Sequence, residues 1–245
     1  MKQTIYFCKL CGHWRGKNKE CPECKQECVE RKVPARRANM YFVDNVDMPL
    51  PSVTTILGVM SKPALEFWKI KTAVTSALTD PSQSVEEAMA SIYKKRDTAG
   101  DEGSNAHQIL EHIAKEGDDG VEYQGKVGRY VEAYRKFVQE MPHKTIFTEK
   151  TVYSTKHRFA GTLDTVLELT SGRRVLVDFK TSNFIAPEFD LQLKAYKMAL
   201  EEMGEKTDGC AILHLKDNGT YSFIESDGDF DAFLACLKLY NWMKK

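Results

Sequence analysis

The chain has 245 residues, 42% hydrophobic and 29% charged, with 35 Lys/Arg balanced by 35 Asp/Glu. That length allows one large domain, or one domain plus a small appendage, and the composition excludes a disordered or fibrous chain. No apolar run approaches the roughly 18 residues of a membrane span, and MKQTIYFCKLCGHW lacks the features of a secretory or transit peptide, so no membrane partner and a cytoplasmic location are expected.

The charge is uneven. Residues 1–37 carry ten Lys/Arg against four Glu, a balance of +6 that leaves −6 for the remainder. A basic piece on an acidic body points to an anionic partner for the first part and to metal-binding acids in the second, although a solvated basic surface explains the charge equally well.

Five of the seven cysteines fall in the first 28 residues. Cys8-Lys-Leu-Cys11 and Cys21-Pro-Glu-Cys24 are two C-x2-C knuckles nine residues apart, and two such knuckles complete a tetrahedral four-thiolate site. Structural zinc at Cys8, Cys11, Cys21 and Cys24 is therefore expected, with Cys28 able to substitute for Cys24. A disulfide pairing would need an oxidising compartment, and a redox C-x-x-C would sit beside a βαβ unit. The reading divides the chain into a zinc ribbon, 1–34, and a second domain, 35–245. The ribbon could bind nucleic acid, bind a protein partner or brace the fold. Cys210 and Cys236 lie in apolar surroundings and read as small buried hydrophobes.

After the ribbon, prolines 34, 49 and 51 punctuate a linker with extended structure. Ser52–Leu57 opens a helical region, and Pro63 starts the next helix. Residues 84–98, 101–116 and 122–140 have helical spacing, the last with Val127, Tyr130, Val131, Tyr134, Phe137 and Val138 on one stripe. From Ile146 the pattern changes to strands, IFTEKTVYS, FAGTLDTVLEL and RVLVDFK, an antiparallel meander whose second turn is at Ser171-Gly172. Residues 189–203 return to helix, GCAILHLK and TYSFIES form a hairpin around Asn218-Gly219, and 229–243 close as an amphipathic helix. The expected fold class is α/β, a mixed central sheet packed by helices on both faces.

VLVDFK breaks its own aliphatic pattern with Asp178 and Lys180, which project from one face of the strand because side chains alternate. A turn centred near Gly172 sets Asp164, of Gly161-Thr-Leu-Asp164, roughly opposite residue 180. Two carboxylates and an ammonium would then meet, and a divalent cation would relieve the repulsion between the acids. Gly161 offers close approach for a substrate backbone or a helix. Alone, a D-x-K at a strand end is an ordinary salt bridge. Two further pairings accompany it. His107 and Glu111 stand at i and i+4 on one helix face, as do Gln192 and Tyr196. Ser52, Thr54 and Thr55 offer hydroxyls that suit phosphates or a helix cap equally. Trp68, Tyr130 and Tyr134 could stack on bases, with core packing the better reading.

In this order, G-x-x-x-H-x-x-L-E, G-T-L-D, D-F-K-T-S and Q-x-x-x-Y resemble the PD-(D/E)XK nuclease superfamily, and within it the RecB-type exonuclease branch. Pro51–Leu57 and Asp178–Ser182 are similar to segments of mitochondrial genome maintenance exonucleases and their phage and bacterial relatives. The resemblance spans residues 51–200. Leu163, where the family name has proline, is a substitution this branch commonly shows. Related iron–sulfur nucleases use cysteines on both sides of the core with a carboxy-terminal group, whereas Cys210 and Cys236 stand alone here, which favours zinc over iron–sulfur.

The resemblance implies a restriction-endonuclease-like fold and a Mg2+- or Mn2+-dependent DNA exonuclease. Its substrate would be single-stranded or free-ended DNA, in recombination, repair or phage replication, inside a bacterial or phage-infected cell. Asp164 and Asp178 would ligate the metal with the Phe179 carbonyl and His107, and Lys180 would act on the attacking water or scissile phosphate. Gln192 and Tyr196 would position nearby backbone and DNA, and Glu111 would orient its helix. Thr181 and Ser182 join Ser52, Thr54 and Thr55 as candidate DNA contacts, and the ribbon could recruit a replication or recombination protein. A structure-specific endonuclease with the same chemistry, and a non-catalytic zinc-ribbon binding module, are the competing readings.

Overall fold

The structure, a computed structural model, describes residues 2–7, 14–15, 20, 29–37, 40–43, 46 and 48–244, with the backbone alone for 2–7, 14–15 and 29–37. Cys8, Cys11, Cys21, Cys24 and Cys28, and with them the expected zinc site, lie outside the described residues. Among the described residues no helix is long and apolar enough to cross a membrane.

The first sheet is antiparallel and contains β1 (Lys2–Phe7), β2 (Trp14–Arg15), β3 (Val29–Arg37), β4 (Met40–Phe42) and β5 (Leu50–Pro51), in the order β2-β1-β3-β4-β5. Its last two strands reach the body of the protein. Tyr41 and Leu50 are buried with Ala160, and the Tyr41 hydroxyl lies 3.1 Å from Thr162 Oγ1.

Ser52 then caps the short helix α1 (Val53–Ile56) by accepting the Thr55 N–H at 3.1 Å. Helix α2 (Pro63–Thr79) packs on α3 (Val85–Glu116), and α4 (Gly125–Glu140) follows. Sequence spacing predicts two helices, 84–98 and 101–116, where the structure has one of 32 residues. Residues 93–101 are all exposed, so the apolar stripe that marks a packed helix fades there while the helix continues. Gly100 costs only about 1 kcal/mol in a helix interior. The true ends are a capping box at Ser84 and Glu87 and the positive φ of Gly117.

The second sheet contains β6 (His143–Ser154), β7 (Phe159–Leu169), β8 (Arg174–Lys180), β9 (Gly209–Leu215) and β10 (Tyr221–Ser226), in the order β10-β9-β8-β7-β6. β6, β7 and β8 form the expected antiparallel meander. β8 runs parallel to β9, the pair joined through α5 (Glu188–Glu202), and β10 closes as a hairpin on β9. Helix α6 (Phe230–Met243) ends the chain.

Helices cover both faces, as the alternation of strand and helix patterns predicts. On one, Leu163, Val166, Leu176 and Ile212 pack with Leu193, Tyr196 and Leu200 of α5 and Phe233 of α6. On the other, Leu167, Val175, Val177 and Phe179 pack with Leu110 of α3 and Tyr130, Tyr134 and Phe137 of α4. Tyr130 and Tyr134 are thus core residues. Cys210 is buried and Cys236 half-buried against the first cluster, both thiols pushed up by burial. Each large side chain fully buried here stabilises the fold by about 1.5–3 kcal/mol, which fixes β8 firmly between its two layers.

Candidate active site

The end of β8 is where the sheet changes character. β7 and β8 pair from Glu168↔Arg174 to Thr165↔Val177, and one step further Asp164 faces Asp178. A turn centred on Gly172 would have set residue 164 against 180. The real turn is closed by the Leu169 N–H donating to the Arg173 carbonyl at 2.9 Å, which centres it on Ser171 and moves the register by two. A shift of two keeps every side chain on its face. Asp164, Asp178 and Lys180 therefore still share one.

Beyond Thr165 the β7–β8 ladder stops, while β8 stays paired to β9 through Asp178↔Ile212, Phe179↔Leu213 and Lys180↔His214. The Phe179 N–H loses its backbone partner and donates instead to Asp164 Oδ2 at 2.7 Å. His107 of α3 brings Nδ1 to 3.5 Å from the same oxygen, and its ring meets the edge of Phe179 at 6.1 Å between centroids.

Asp178 is nearly inaccessible, its side chain 3% exposed. Its Oδ1 accepts from Gln192 Nε2 at 3.1 Å, and the same amide donates to the Tyr196 hydroxyl at 3.2 Å. Its Oδ2 faces the Lys180 ammonium in a close ion pair and accepts no well-aligned hydrogen bond. Lys180 also lies over the Phe189 ring, 4.5 Å from its centroid. Gln192 and Tyr196, one turn apart on α5, are thus brought to the Asp178 carboxylate as their spacing suggests.

Gly161 permits this arrangement. A Cβ there would overlap Tyr196 Cε1 outright and lie 3.0 Å from Cζ. Of the two approaches that this glycine allows, the structure uses the helix: the Tyr196 ring of α5 rests on the bare backbone of β7.

The electrostatics follow from burial and crowding. Burial, then the Asp178 charge, push the Asp164 carboxyl up to about 8, against the pull of Lys180 and of the Phe179 N–H. Burial and the nearby ammonium hold His107 down to about 4, so its imidazole is neutral at neutral pH, with a lone pair to offer. Burial alone would lower Lys180, but the charges of Asp178 and Asp164 outweigh it and the amine is raised. It is a fixed cation, suited to stabilising negative charge and unsuited to removing protons. Tyr196 is raised well above its usual value by burial and by Asp178, and stays a neutral phenol.

Glu111 is half-buried one turn beyond His107, and its charge adds to the upward pressure on Asp164. Ser52 is buried, its hydroxyl engaged by the α1 cap and by Thr55 Oγ1 at 2.7 Å, while Thr54 is exposed and Thr55 half-buried. Thr181 and Ser182 lie half-buried in the loop directly after Lys180.

Among the described residues no three His, Cys, Asp or Glu side chains converge on one point as a ready metal cage, so His107, Asp164 and Asp178 adjoin without forming a closed set. The donors still suit a hard divalent cation. Two adjoining carboxylates repel, one of them turns a buried oxygen to the Lys180 ammonium, and a neutral imidazole stands beside the other. Mg2+ and Mn2+ prefer such oxygen-rich sites.

Two contacts escaped sequence reasoning. His214 Nε2 lies 2.7 Å from the Ser182 carbonyl, and the Tyr130 hydroxyl donates to the Thr181 carbonyl at 3.3 Å. Both brace the loop that follows Lys180. Only the pairing of β8 with β9, which places His214 beside Lys180, could have signalled the first.

No curated protein matches the sequence. Among solved structures, the protein SSO0001 is similar at 13% identity over 79% of this chain and 82% of that one, with a TM-score of 0.35. An alkaline exonuclease from Laribacter hongkongensis is similar at 17% identity over 58% of this chain and 84% of its own, with a TM-score of 0.32. At these TM-scores neither likeness carries an argument. The family pattern does: that of the PD-(D/E)XK nuclease superfamily matches residues 66–236, more than half of the chain and all of the strands and helices that build the site. The five-stranded mixed sheet between helices agrees with the restriction-endonuclease-like fold, and the chain belongs to the PD-(D/E)XK nuclease superfamily.

Proposed function

We propose that the chain is a Mg2+- or Mn2+-dependent deoxyribonuclease of the RecB-type branch, an exonuclease acting on single-stranded or free-ended DNA in recombination, repair or phage replication. The observation that carries the reading is the adjoining pair of half-buried Asp164 and buried Asp178, with Lys180 in a close ion pair with Asp178, where β7 and β8 separate. Asp164, Asp178, the Phe179 carbonyl and His107 are the residues to hold the cation. A divalent cation there supplies neutralisation of phosphate charge and a more acidic bound water.

The protein's own groups do the rest. Lys180, kept charged by its acidic neighbours, stabilises the charge that builds on the phosphate during attack. Gln192 fixes Asp178 Oδ1, and Tyr196 fixes Gln192. Glu111 orients the His107 turn of α3. Thr181 and Ser182, with Thr54 and Thr55, are candidate backbone contacts to DNA, and Ser52 serves them as the cap of α1. The basic amino-terminal part, residues 1–34, would hold zinc at Cys8, Cys11, Cys21 and Cys24 and bind DNA or a replication or recombination protein.

The reading is tested with purified protein, Mg2+ or Mn2+, end-labelled linear DNA and a covalently closed circle. Release of short products from the linear substrate, with the circle left intact, is expected. Nicking of the circle would replace exonuclease with endonuclease, and no cleavage of either would remove the nuclease activity.

The raised pKa of Asp164 gives a pH signature. Its folded-state value lies above the unfolded one, so the group favours the folded chain most at low pH, and that contribution is lost as pH rises through about 8. A cation at the site must displace the Asp164 proton below that point, so its affinity rises with pH. The gain in Tm on adding Mg2+ is expected to be larger at about pH 8.5 than at about pH 6.5, and Asp164→Asn should flatten the difference. An equal gain at both pH values in the wild-type protein contradicts it.

A further inference from the structure

The loop after β8 holds one large apolar side chain out in water. Phe184 is 52% exposed, and among the described residues no aromatic ring packs on it. A single exposed apolar residue needs no explanation by itself. The loop around it does, because it is braced from three directions. The Tyr130 hydroxyl of α4 donates to the Thr181 carbonyl, His214 of β9 holds the Ser182 carbonyl at 2.7 Å, and Ser182 Oγ donates to the Phe184 carbonyl at 2.8 Å. Immediately after it, Ile185 packs on the core and Ala186 is buried. The backbone is pinned on both sides of Phe184, so the ring is presented by a rigid support rather than trailing from a loose loop.

Its position relative to the chemistry is also constrained. It lies four positions after Lys180, and a chain of that length reaches at most about 14 Å. Successive phosphates along a stacked strand advance about 3.4 Å each, and further when the strand is extended. The ring is thus within a few nucleotides of a phosphodiester bound at Asp164, Asp178 and Lys180. An aromatic face at that range, with its backbone fixed beforehand, suits an unstacked base.

We propose that Phe184 is the base-stacking residue of the site: it packs on a nucleobase flanking the scissile phosphate and holds the strand in register with Lys180. This rests on the nuclease reading above. Stacking of this kind is indifferent to base identity, because every base has a π-face, and it requires the target base to be unpaired. The proposal therefore selects single-stranded DNA, or a frayed end, over an intact duplex.

The test uses the full chain, wild type, Phe184→Ala and Phe184→Trp, with single-stranded oligonucleotides carrying one abasic nucleotide at each of the terminal positions in turn. Phe184→Ala is expected to raise KM about tenfold with kcat within about twofold, and Phe184→Trp to restore it. An abasic nucleotide at the stacked position should weaken the wild type by a similar factor and Phe184→Ala no further. An unchanged KM in Phe184→Ala, in a protein that digests DNA, overturns the stacking role and leaves the nuclease reading intact. Binding of the same oligonucleotides without metal, followed by fluorescence anisotropy, separates the two ideas: binding that depends on Phe184 without digestion keeps the stacking role and removes the nuclease. Absence of both binding and digestion overturns both.

Discussion

Asp178→Asn is expected to lower the rate of DNA cleavage by about three orders of magnitude while leaving the protein folded. The substitution keeps the shape of a side chain that is 3% exposed and can still accept from Gln192 through its amide oxygen. It removes the charge. A metal at a phosphoryl centre contributes several kcal/mol of charge stabilisation, and each 1.36 kcal/mol is a factor of ten in rate. Losing one of two central carboxylates therefore costs far more than losing a peripheral contact. Asn also leaves the half-buried Lys180 without its close partner, so some stability is lost, and thermal unfolding measured in parallel shows whether the variant assayed is native. A native variant with a rate within tenfold of the wild type would remove Asp178 from the chemistry.

Gly161→Ala is expected to damage the same site from a distance. The added methyl group would occupy the space of the Tyr196 ring, whose nearest atoms belong to a helix packed on both sides. Overpacking a core of this kind costs about 1–3 kcal/mol, so Tm should fall by several degrees. The catalytic effect has a specific route. Tyr196 must shift, Gln192 loses one of its two hydrogen bonds, and Asp178 Oδ1 loses its fixed donor. Cleavage should fall by about tenfold or more through kcat rather than KM. Replacing Tyr196 with a smaller ring-free residue such as Leu in the same chain should recover stability without recovering rate. If Gly161→Ala keeps both Tm and kcat, the Tyr196–Gln192–Asp178 chain does not position the carboxylate.

Much of this was legible in the sequence for identifiable reasons. The strands carry alternating or continuous apolar runs between Gly, Asn and Ser turns, so β6 through β10 read out within a few residues. Asp178 and Lys180 interrupt an aliphatic strand, and such an interruption stands out without any structure. The long helix α3 has the sequence pattern of two because its exposed middle has no apolar stripe, and periodicity reports packing, not helicity itself. The register of Asp164 was off by two because one hydrogen bond, Leu169 to Arg173, decides the centre of the turn, and sequence cannot weigh Ser171 against Gly172 so finely. The bracing of the loop after β8 is hidden for another reason. His214 and the Tyr130 hydroxyl reach it from different elements, and only the parallel pairing of β8 with β9 and the packing of α4 bring them there, so the sequence shows Tyr130 as a core residue and not as a brace.

The central claim is that Asp164 and Asp178 together form a divalent-cation site, and Mn2+ binding followed by electron paramagnetic resonance tests it most directly. Wild-type protein and the Asp164→Asn/Asp178→Asn double variant would be titrated side by side at about pH 8.5, on the side where Asp164 has mostly lost its proton. The account predicts at least one Mn2+ bound per wild-type chain that the folded double variant does not bind. Equal binding by the two proteins would contradict it and place the metal, and with it the chemistry, elsewhere.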